Sequence, residues 1–391
     1  MADLNVHVQR APSGALSFGM VAGEASGDLL AGLLIQGLRQ RWPQAQGFGI
    51  GGPRMAALGF DAWWPHERLA VRGYVEVLRH YRGIVAIREQ LKQRLLASPP
   101  DVFIGVDAPD FNLDLEAHLK AAGIPTVHFV CPSIWAWRPE RIEKIRRSVD
   151  HMLCIFPFEP ELLARAGIEA TYVGHPLAQT IPMTPDRMAA RQSLGLDQDR
   201  PVVALLPGSR QSEIEHLVPR FIQAAQIMQK TQPLLQFVLP AIPSLQAVVQ
   251  SLVDAQGGLS SLHVLKGQSH QALAACDVTL IASGTATLEA ALFKRPMVIG
   301  YHMNWLSWQI MKRKQLQPWV GLPNILCQDF VVPEFIQDQC TPEALVAATL
   351  EWLAQPDRVD ALQTRFKQLH QTLQCDTSDL STYALEKVLG A

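Results

Sequence analysis

The chain has 391 residues, of which 48% are hydrophobic and 18% are charged, and its formal net charge at pH 7 is −2. Its length exceeds that of one ordinary domain and predicts two, each able to bury a sizeable apolar core. The near-zero charge excludes bulk electrostatic attraction to nucleic acid, so we expect no nucleic-acid partner.

Cysteine usage and the N-terminus indicate the compartment. The six cysteines are scattered, without a C-x-x-C pair, which predicts a reducing compartment and no zinc site. Residues 1–15 form a polar lead that we expect to be disordered, and they lack the pattern of a signal peptide. No uncharged apolar run approaches the length of a membrane span. We therefore expect a soluble protein, or one that binds a membrane from outside.

Alternating strands and helices are predicted from residue 16. The apolar run 16–22 predicts a buried strand, and the turn 23–28 leads into a helix at 29–41 that Ser26 or Asp28 can cap. The glycines of 48–53 end the next strand and indicate close backbone approach, either to a ligand or to the first turn. Further strands are predicted at 101–106, 126–130, 152–156 and 170–173.

Asp107 follows the apolar strand 101–106 directly. Pro109 biases Ala108 toward an extended conformation and ends the strand ladder. Ligand sites of α/β proteins lie at the carboxyl ends of their strands, so Asp107 is a candidate general base. The alternative is that Asp107 or Asp110 caps the next helix.

Other segments of this half leave two interpretations open. Trp135, Trp137 and Arg138 follow a strand and form either a binding wall or a packing plug. The basic, mainly helical region 69–96 is either an amphipathic surface helix or a surface that sits on anionic lipid. We interpret His175 as a turn histidine rather than as a base.

A polar, proline-containing stretch after residue 180 marks the predicted domain boundary. The predicted segments are a lead at 1–15, a first domain at 16–180, a second domain at 181–355, and C-terminal helices at 356–391. The last segment is predicted to pack back toward the first domain or a partner subunit.

Phosphate-binding signals are concentrated in the second half. The strand 202–206 runs into Gly208, Ser209 and Arg210, and an arginine at this turn suits bidentate contact with phosphate. The alternative is a surface arginine at a helix start, which fits less well because a cation there opposes the helix dipole.

The stretch 277–300 repeats the pattern of strand, small-residue turn and helix. Its strand is predicted at 278–282 and its helix at 286–293. The turn and the helix start consist of Ser283, Gly284, Thr285, Ala286 and Thr287. Their backbone N–H groups suit an anion, most often a phosphate. Glu289 would repel phosphate and suits sugar hydroxyls instead, although an ordinary turn with a solvated glutamate is the alternative.

The last part of the chain mixes aromatic and basic residues before a helical tail. Tryptophan beside lysine in 301–316 favours a membrane interface, an acyl-chain groove or a plain amphipathic helix. Asn324 offers both a donor and acceptors from a loop. Tail helices are predicted at 343–354, 359–373 and 380–389.

Six motifs occur in a fixed order along the chain. They are GEASGD (23–28), GVDAPDFN (105–112), PSIWAWR (132–138), LPGSR (206–210), ASGTATLE (282–289) and LPN (322–324). Together they closely resemble glycosyltransferase family 19, the lipid-A-disaccharide synthases, among the two-domain GT-B glycosyltransferases. The resemblance covers nearly the whole chain from about residue 16. It implies an α/β fold of two Rossmann-like domains, with parallel sheets facing across a cleft, and a helical C-terminal tail.

The resemblance also implies a reaction in lipid A biosynthesis. UDP-2,3-diacylglucosamine would donate its sugar to the 6-hydroxyl of 2,3-diacylglucosamine 1-phosphate (lipid X). The products would be UDP and, with inversion, a β-1,6 disaccharide. Such enzymes need no metal or other cofactor, so the protein itself would stabilise the departing diphosphate.

The resemblance assigns roles to the candidate residues. Asp107 would accept the acceptor's proton, and Arg210 with the turn 283–287 would hold the diphosphate. Glu289 would hold the ribose, and Asn324 would add a polar contact to the donor. The candidates for lining the acceptor cleft are Ser26, Gly27, Asp28, Trp135, Trp137 and Arg138. Catalysis would then require closure of the cleft between the domains.

The location follows from the substrates of this family, which sit in the inner leaflet. The resemblance implies a cytoplasmic enzyme that associates peripherally with the anionic inner face of the inner membrane, with 69–96 and 301–316 facing lipid. It also implies a homodimer through the C-terminal helices. Two positions depart from the family pattern, since relatives carry Met at Arg72 and Ser at Cys131. The first adds charge at the expected membrane surface, and the second argues against an essential hydroxyl.

Two rival functions fit the same pattern. A UDP-sugar epimerase would release UDP without an acceptor and would need no lipid-facing surface. A non-catalytic nucleotide-sugar binding protein would tolerate loss of the Asp107 carboxylate.

Overall fold

The structure, a computed structural model, describes residues 15–69, 74–314 and 316–390, and gives only the backbone for 74–81, 306, 307, 310 and 314. Arg72 and residues 1–14 of the predicted lead lie outside the described residues. The chain divides into two compact units. The first comprises Met1–Pro176 and Leu373–Ala391, and the second comprises Leu177–Thr372.

The first unit is built on a seven-stranded parallel sheet with strand order β3-β2-β1-β4-β5-β6-β7. The strands are β1 (Ser17–Ala22), β2 (Gln46–Gly51), β3 (Asp61–Pro65), β4 (Val102–Val106), β5 (Thr126–Phe129), β6 (His151–Cys154) and β7 (Ala170–Tyr172). The helices are α1 (Ala25–Arg41), α2 (Pro53–Ala57), α3 (Tyr74–Ala97), α4 (Pro109–Ala121), α5 (Arg141–Ser148) and α6 (Glu159–Ala164). Strand order reverses between β1 and β4, which makes their carboxyl ends the switch point of the sheet.

Apolar side chains cover both faces of this sheet. Phe18 and Met20 of β1 pack on one face with Leu34 of α1. Val21 of β1 and Phe103 of β4 lie in the core on the other face. These fully buried apolar runs are what predict the central strands from sequence. Strand β3 is not predicted from the sequence, because its residues are exposed or half-buried and do not form a continuous buried apolar run.

The second unit is built on a six-stranded parallel sheet with order β10-β9-β8-β11-β12-β13. After the connecting helix α7 (Pro176–Thr180), its elements are α8 (Arg187–Ser193), β8 (Val202–Leu206), α9 (Gln211–Thr231), β9 (Gln236–Ala241), α10 (Gln246–Ala255), β10 (Leu262–Lys266), α11 (Ser269–Ala275), β11 (Val278–Ala282), α12 (Thr285–Leu292), β12 (Met297–Tyr301), α13 (Trp305–Lys314), α14 (Leu322–Cys327), β13 (Glu334–Ile336), α15 (Pro342–Ala354) and α16 (Pro356–Leu373). Order reverses between β8 and β11, the switch point of this sheet.

The C-terminal tail is helical, as predicted, and it divides between the two units. Helix α16 lies in the second unit, where His370 Nε2 is 2.8 Å from the Ala178 carbonyl oxygen. The last helix, α17 (Thr377–Leu389), packs on α1 in the first unit. The helices approach closely at Gly37, where an added Cβ would lie 2.4 Å from Thr382 Oγ1.

The predicted capping of α1 by Ser26 or Asp28 is wrong, because neither side chain caps that helix. Asp28 is buried, and its carboxylate accepts hydrogen bonds from the backbone N–H groups of Gly52 at 2.9 Å and Arg54 at 3.0 Å. A Cβ at Gly52 would lie 2.6 Å from Asp28 Cγ. The glycines at the end of β2 therefore make room for the Asp28 carboxylate. Of the two interpretations of the glycines in 48–53, a ligand or the turn 23–28, the structure favours the turn.

Membrane-spanning helices are not found among the described residues, since none of their helices combines sufficient length with sufficient apolarity. In the region predicted to face lipid or solvent, Arg88 of α3 bonds to Asp114 at 2.7 Å and Lys92 to Glu89 at 2.7 Å. Those two cations are thus partnered within the unit. Trp305 of α13 is 70% exposed.

Candidate active site

Two polar turns meet at the switch point of the first unit. The turns follow β1 and β4, whose last residues Ala22 and Val106 are register partners. A Cβ at Gly23 would lie 2.9 Å from the Cβ of Ala108, so glycine is required for this approach. Ser26 is exposed at the start of α1, whereas Asp28 is buried and bonded to the α2 backbone. Both residues are predicted to line the cleft for the acceptor substrate. Only Ser26 is exposed at the surface.

Asp107 sits in a constrained turn at the end of β4. Asp107 and Ala108 have φ values of 52° and 45°, so both are left-handed, at about 1–2 kcal/mol each for non-glycine residues. The extended conformation predicted for Ala108 is therefore wrong. The turn is held by tertiary hydrogen bonds, since Asp107 N donates to Phe129 O at 2.8 Å and Asn112 Nδ2 donates to Asp107 O at 2.8 Å.

The helix-capping alternative for Asp107 and Asp110 is also wrong. The N-cap of α4 is Ala108, without a side-chain cap. Asp110 instead pairs with Arg141 at 2.5 Å. Asp107 is half-buried at the switch point, which is the position expected for a carboxylate that acts on a bound ligand.

The tryptophan loop divides into a buried and an exposed part. Trp135 is buried, its Nε1 donates to Glu159 Oε1 at 3.1 Å, and its ring packs edge-on against Phe156. Trp135 is thus a packing plug and not a cleft wall. Trp137 is 39% exposed, with the Arg138 guanidinium 4.1 Å above its ring. Trp137 and Arg138 therefore remain candidates for a binding surface, because the aromatic ring is accessible and the guanidinium stacks on it.

In the second unit, the turn after β8 carries Arg210 as the N-cap of α9. The Arg210 side chain is 77% exposed, and its Nη1 lies 3.0 Å from Glu213 Oε1. Glu213 Oε2 accepts from the backbone N–H groups of Ser209 at 3.1 Å and Arg210 at 3.3 Å. Gly208 has a φ of 108°, and a Cβ there would lie 2.5 Å from Glu213 Oε2. The glycine therefore admits the carboxylate.

Glu213 and Tyr301 are absent from the sequence-based set of site residues. Burial raises the pKa of Tyr301, and the negative charge of the Glu213 carboxylate adds to that shift. A capping-box pattern, with a glutamate three residues after the N-cap, is the signal that could have identified Glu213.

The turn after β11 lies beside the turn after β8, because Ile281 and Leu206 are register partners. Gly284 has a φ of 143° and is exposed, as is Thr285 at the first position of α12. The first backbone N–H groups of a helix have no partner within it, so this end of α12 can accept an anion. Ser283 is fixed by its hydrogen bond to Val320 O at 3.0 Å.

Thr287 has a structural role in this turn. Its side chain is buried, its Oγ1 donates to Gly284 O at 2.7 Å, and it accepts from Leu322 N at 3.3 Å. Glu289, one turn further along α12, lies 3.4 Å from His270 Nε2 and is partly accessible. Glu289 thus keeps some access to solvent and has a neighbour on α11.

Asn324 is buried and does not present its amide at the surface. Nδ2 donates to Val332 O at 2.9 Å and to Glu334 Oε1 at 2.8 Å, and Oδ1 accepts from Val332 N at 3.0 Å. Glu334 also accepts from Gly321 N at 2.9 Å. Asn324 lies in α14, so its predicted position in a loop is wrong. Its amide is bonded within the protein and is not presented to a donor sugar.

Two parallel α/β units, each with polar turns at its switch point, define a protein of the GT-B fold class. Solved structures of this fold resemble the chain. A putative UDP-N-acetylglucosamine 2-epimerase from Listeria monocytogenes is 11% identical, with a TM-score of 0.65, 96% of this chain covered and 96% of that chain. The calicheamicin glycosyltransferase is 16% identical, with a TM-score of 0.60, 96% of this chain covered and 98% of that chain. At these identities the likeness shows the fold alone.

The sequence comparisons narrow the class to one family. The chain belongs to the lipid-A-disaccharide synthetase family, whose model matches residues 19–388. A lipid-A-disaccharide synthase from Albidiferax ferrireducens is 65% identical over 379 residues, which are 96% of this chain and 97% of the relative. The resemblance found in the six motifs is thus confirmed, and the chain is an enzyme.

Proposed function

We propose that the chain transfers 2,3-diacylglucosamine from its UDP ester to the 6-hydroxyl of 2,3-diacylglucosamine 1-phosphate, forming the β-1,6 disaccharide 1-phosphate of lipid A biosynthesis and UDP. The observation that carries this proposal is that the exposed Arg210 and the exposed start of α12 follow the neighbouring strands β8 and β11 at one switch point. Membership of the lipid-A-disaccharide synthetase family supports the choice of sugar and acceptor.

The second unit holds the donor in this proposal. Negative charge develops on the diphosphate as the glycosidic bond breaks, and preorganised donors at that point stabilise the transition state. The Arg210 guanidinium and the N–H groups of Thr285 and Ala286 supply this stabilisation without a metal or other cofactor. Glu289 accepts from the ribose hydroxyls, with His270 at 3.4 Å orienting its carboxylate.

Asp107 of the first unit is the general base. A single displacement at the anomeric carbon needs one base to take the proton of the attacking hydroxyl, and it inverts the configuration. The half-buried carboxylate on a hydrogen-bonded turn meets the requirement for a fixed position. Trp137 and Arg138 contact the acceptor, whose phosphate matches the arginine in charge.

The enzyme binds the anionic inner face of the inner membrane in this account. Trp305 and Leu316 are 70% and 52% exposed, and Lys312 and Arg313 are exposed beside them. An aromatic and basic surface of this kind favours the interface of anionic lipids. Flotation with vesicles of phosphatidylglycerol tests this, and loss of binding in Trp305→Ser is the expected result. Equal binding by that variant contradicts it.

The oligomer is a homodimer through the C-terminal helices in this proposal. Helix α17 fits α1 closely, with Ser378 Oγ donating to Leu33 O at 3.0 Å. If two copies of the chain exchange their α17 helices, each α17 can make the same contacts with α1 of the other copy, and no contact is lost. Light scattering of the full chain gives the mass of a dimer if this holds, and the mass of a monomer if it fails.

The product identifies the reaction. Incubating the full chain with both substrates, followed by mass spectrometry and NMR of the lipid fraction, yields a β-1,6 disaccharide 1-phosphate. An epimerised UDP-sugar with no disaccharide would contradict the proposal and support the epimerase alternative.

A further inference from the structure

The turn that carries Asp107 rests on a buried polar cluster of Asn112, Glu116 and His128. Each of these three side chains has a relative exposure of 0%. Asn112 Nδ2 donates to the Asp107 carbonyl at 2.8 Å, and Glu116 Oε1 lies 2.8 Å from His128 Nδ1. The cluster therefore joins α4 and β5 directly behind the predicted base.

Gly105 of β4 makes room for this cluster. A Cβ at Gly105 would lie 2.1 Å from Glu116 Oε1 and 2.9 Å from the Cβ of Asn112. The backbone two residues before Asp107 is thus in contact with both side chains. The cluster supports the end of the strand as well as the turn that follows it.

The cluster is not saturated with hydrogen bonds. Asn112 Oδ1, Glu116 Oε2 and His128 Nε2 are buried, and none has a hydrogen-bond partner among the residues that the structure describes. Burial of such atoms opposes folding, and apolar side chains of the same size would fill this space more favourably. Fold stability alone therefore does not account for these residue types.

We propose that Asn112 and Glu116 are positioning residues that, with His128, hold residues 107–108 in the left-handed conformation that presents the Asp107 carboxylate. This inference rests on the proposed function, in which Asp107 is the base. Asn112 acts directly, through the bond to the Asp107 carbonyl. Glu116 acts through its contact with Gly105 and its hydrogen bond with His128. Burial raises the pKa of Glu116, which favours a neutral acid behind the base.

The first test is Asn112→Ala in the full chain. We expect kcat to fall roughly 10- to 100-fold, because small displacements of a reacting group are costly in rate. The KM for the UDP-sugar stays within about twofold of the wild-type value, because the substitution does not touch the residues that bind the donor. Adding Ala108→Gly restores most of the lost kcat, since glycine takes a left-handed φ without a steric penalty.

The second test separates charge from shape at Glu116. Glu116→Gln keeps the size and polarity of a neutral acid and retains kcat, whereas Glu116→Ala lowers it. Thr126→Ala is the matched control. Thr126 is buried at the other end of β5 and donates to Ser148 O at 2.9 Å, so its loss lowers the melting temperature but leaves kcat unchanged.

Either of two results overturns the inference. One is a normal kcat in Asn112→Ala, and the other is a loss of kcat that Ala108→Gly does not restore. Failure of the proposed function is distinct, because the wild-type chain would then make no disaccharide at all.

Discussion

The Glu213 carboxylate bonds to both the guanidinium and the backbone N–H of Arg210, with Oε1 3.0 Å from Nη1 and Oε2 3.3 Å from the backbone nitrogen. The turn that suits a phosphate thus already holds an anion of its own. Glu213 neutralises and orients Arg210, and in the proposed function it would compete with the diphosphate of UDP for the same donors.

Replacing Glu213 with glutamine removes this internal anion while keeping its shape. We expect Glu213→Gln to bind UDP about three- to tenfold more tightly, since a like charge near a phosphate opposes binding by roughly 1 kcal/mol near a protein surface. Calorimetric titration with UDP measures the change. Glu215→Gln, on the same helix and bonded to Gln211, is the control and leaves the affinity unchanged. Weaker UDP binding in Glu213→Gln would show that orienting Arg210 matters more than charge.

Arg210→Ala removes the exposed cation itself. A charge-assisted hydrogen bond contributes about 1.5–3 kcal/mol, so the Kd for UDP rises roughly 10- to 100-fold. Arg200→Ala is the matched control, because Arg200 is a partly exposed arginine of the same unit that pairs with Asp197. An unchanged Kd in Arg210→Ala would remove this residue from the donor site.

The contact between Gly23 and Ala108 predicts a pair of compensating substitutions. Gly23→Ala places a Cβ 2.9 Å from that of Ala108, and overpacking of this kind destabilises by about 1–3 kcal/mol. Ala108→Gly removes the opposing Cβ, so the double variant regains the melting temperature and turnover lost in the single one. Equal stability of Gly23→Ala and the wild type would show that the turns do not meet as described.

Acid lowers the stability of the first unit through His175. Burial lowers the pKa of His175 to about 4, whereas the unfolded value is near 6.5. Between pH 6.5 and pH 4, His175 therefore binds a proton in the unfolded chain but not in the folded chain. Its contribution to the free energy of unfolding is complete above pH 6.5 and is lost as the pH falls toward 4. The loss amounts to roughly 3 kcal/mol. Melting temperatures measured against pH for wild type and His175→Gln test this, since the variant lacks this dependence. Parallel curves for the two proteins would refute it.

The sequence predicts the central strands and the switch-point turns because both depend on local pattern. Buried parallel strands are continuous apolar runs, as at 202–206 and 278–282, and small residues after them predict the turns. The failures concern Asp28, Trp135 and Asn324. Asp28 and Trp135 bond to partners 24 residues away, and Asn324 bonds to Val332 and Glu334 beyond the end of its own helix. The local sequence therefore gives no signal that these side chains are buried. The prediction for Ala108 fails because tertiary hydrogen bonds override the local bias of Pro109. Asp107 N donates to Phe129 O, and Asn112 Nδ2 donates to Asp107 O.

Release of UDP from UDP-2,3-diacylglucosamine, measured with and without the lipid acceptor, tests the transferase account most directly. We predict that UDP release requires 2,3-diacylglucosamine 1-phosphate. In Asp107→Asn, we expect the release rate to fall about 100-fold or more while the affinity for the donor is retained. Release of UDP at the same rate without the acceptor, or near-normal turnover in Asp107→Asn, would contradict it.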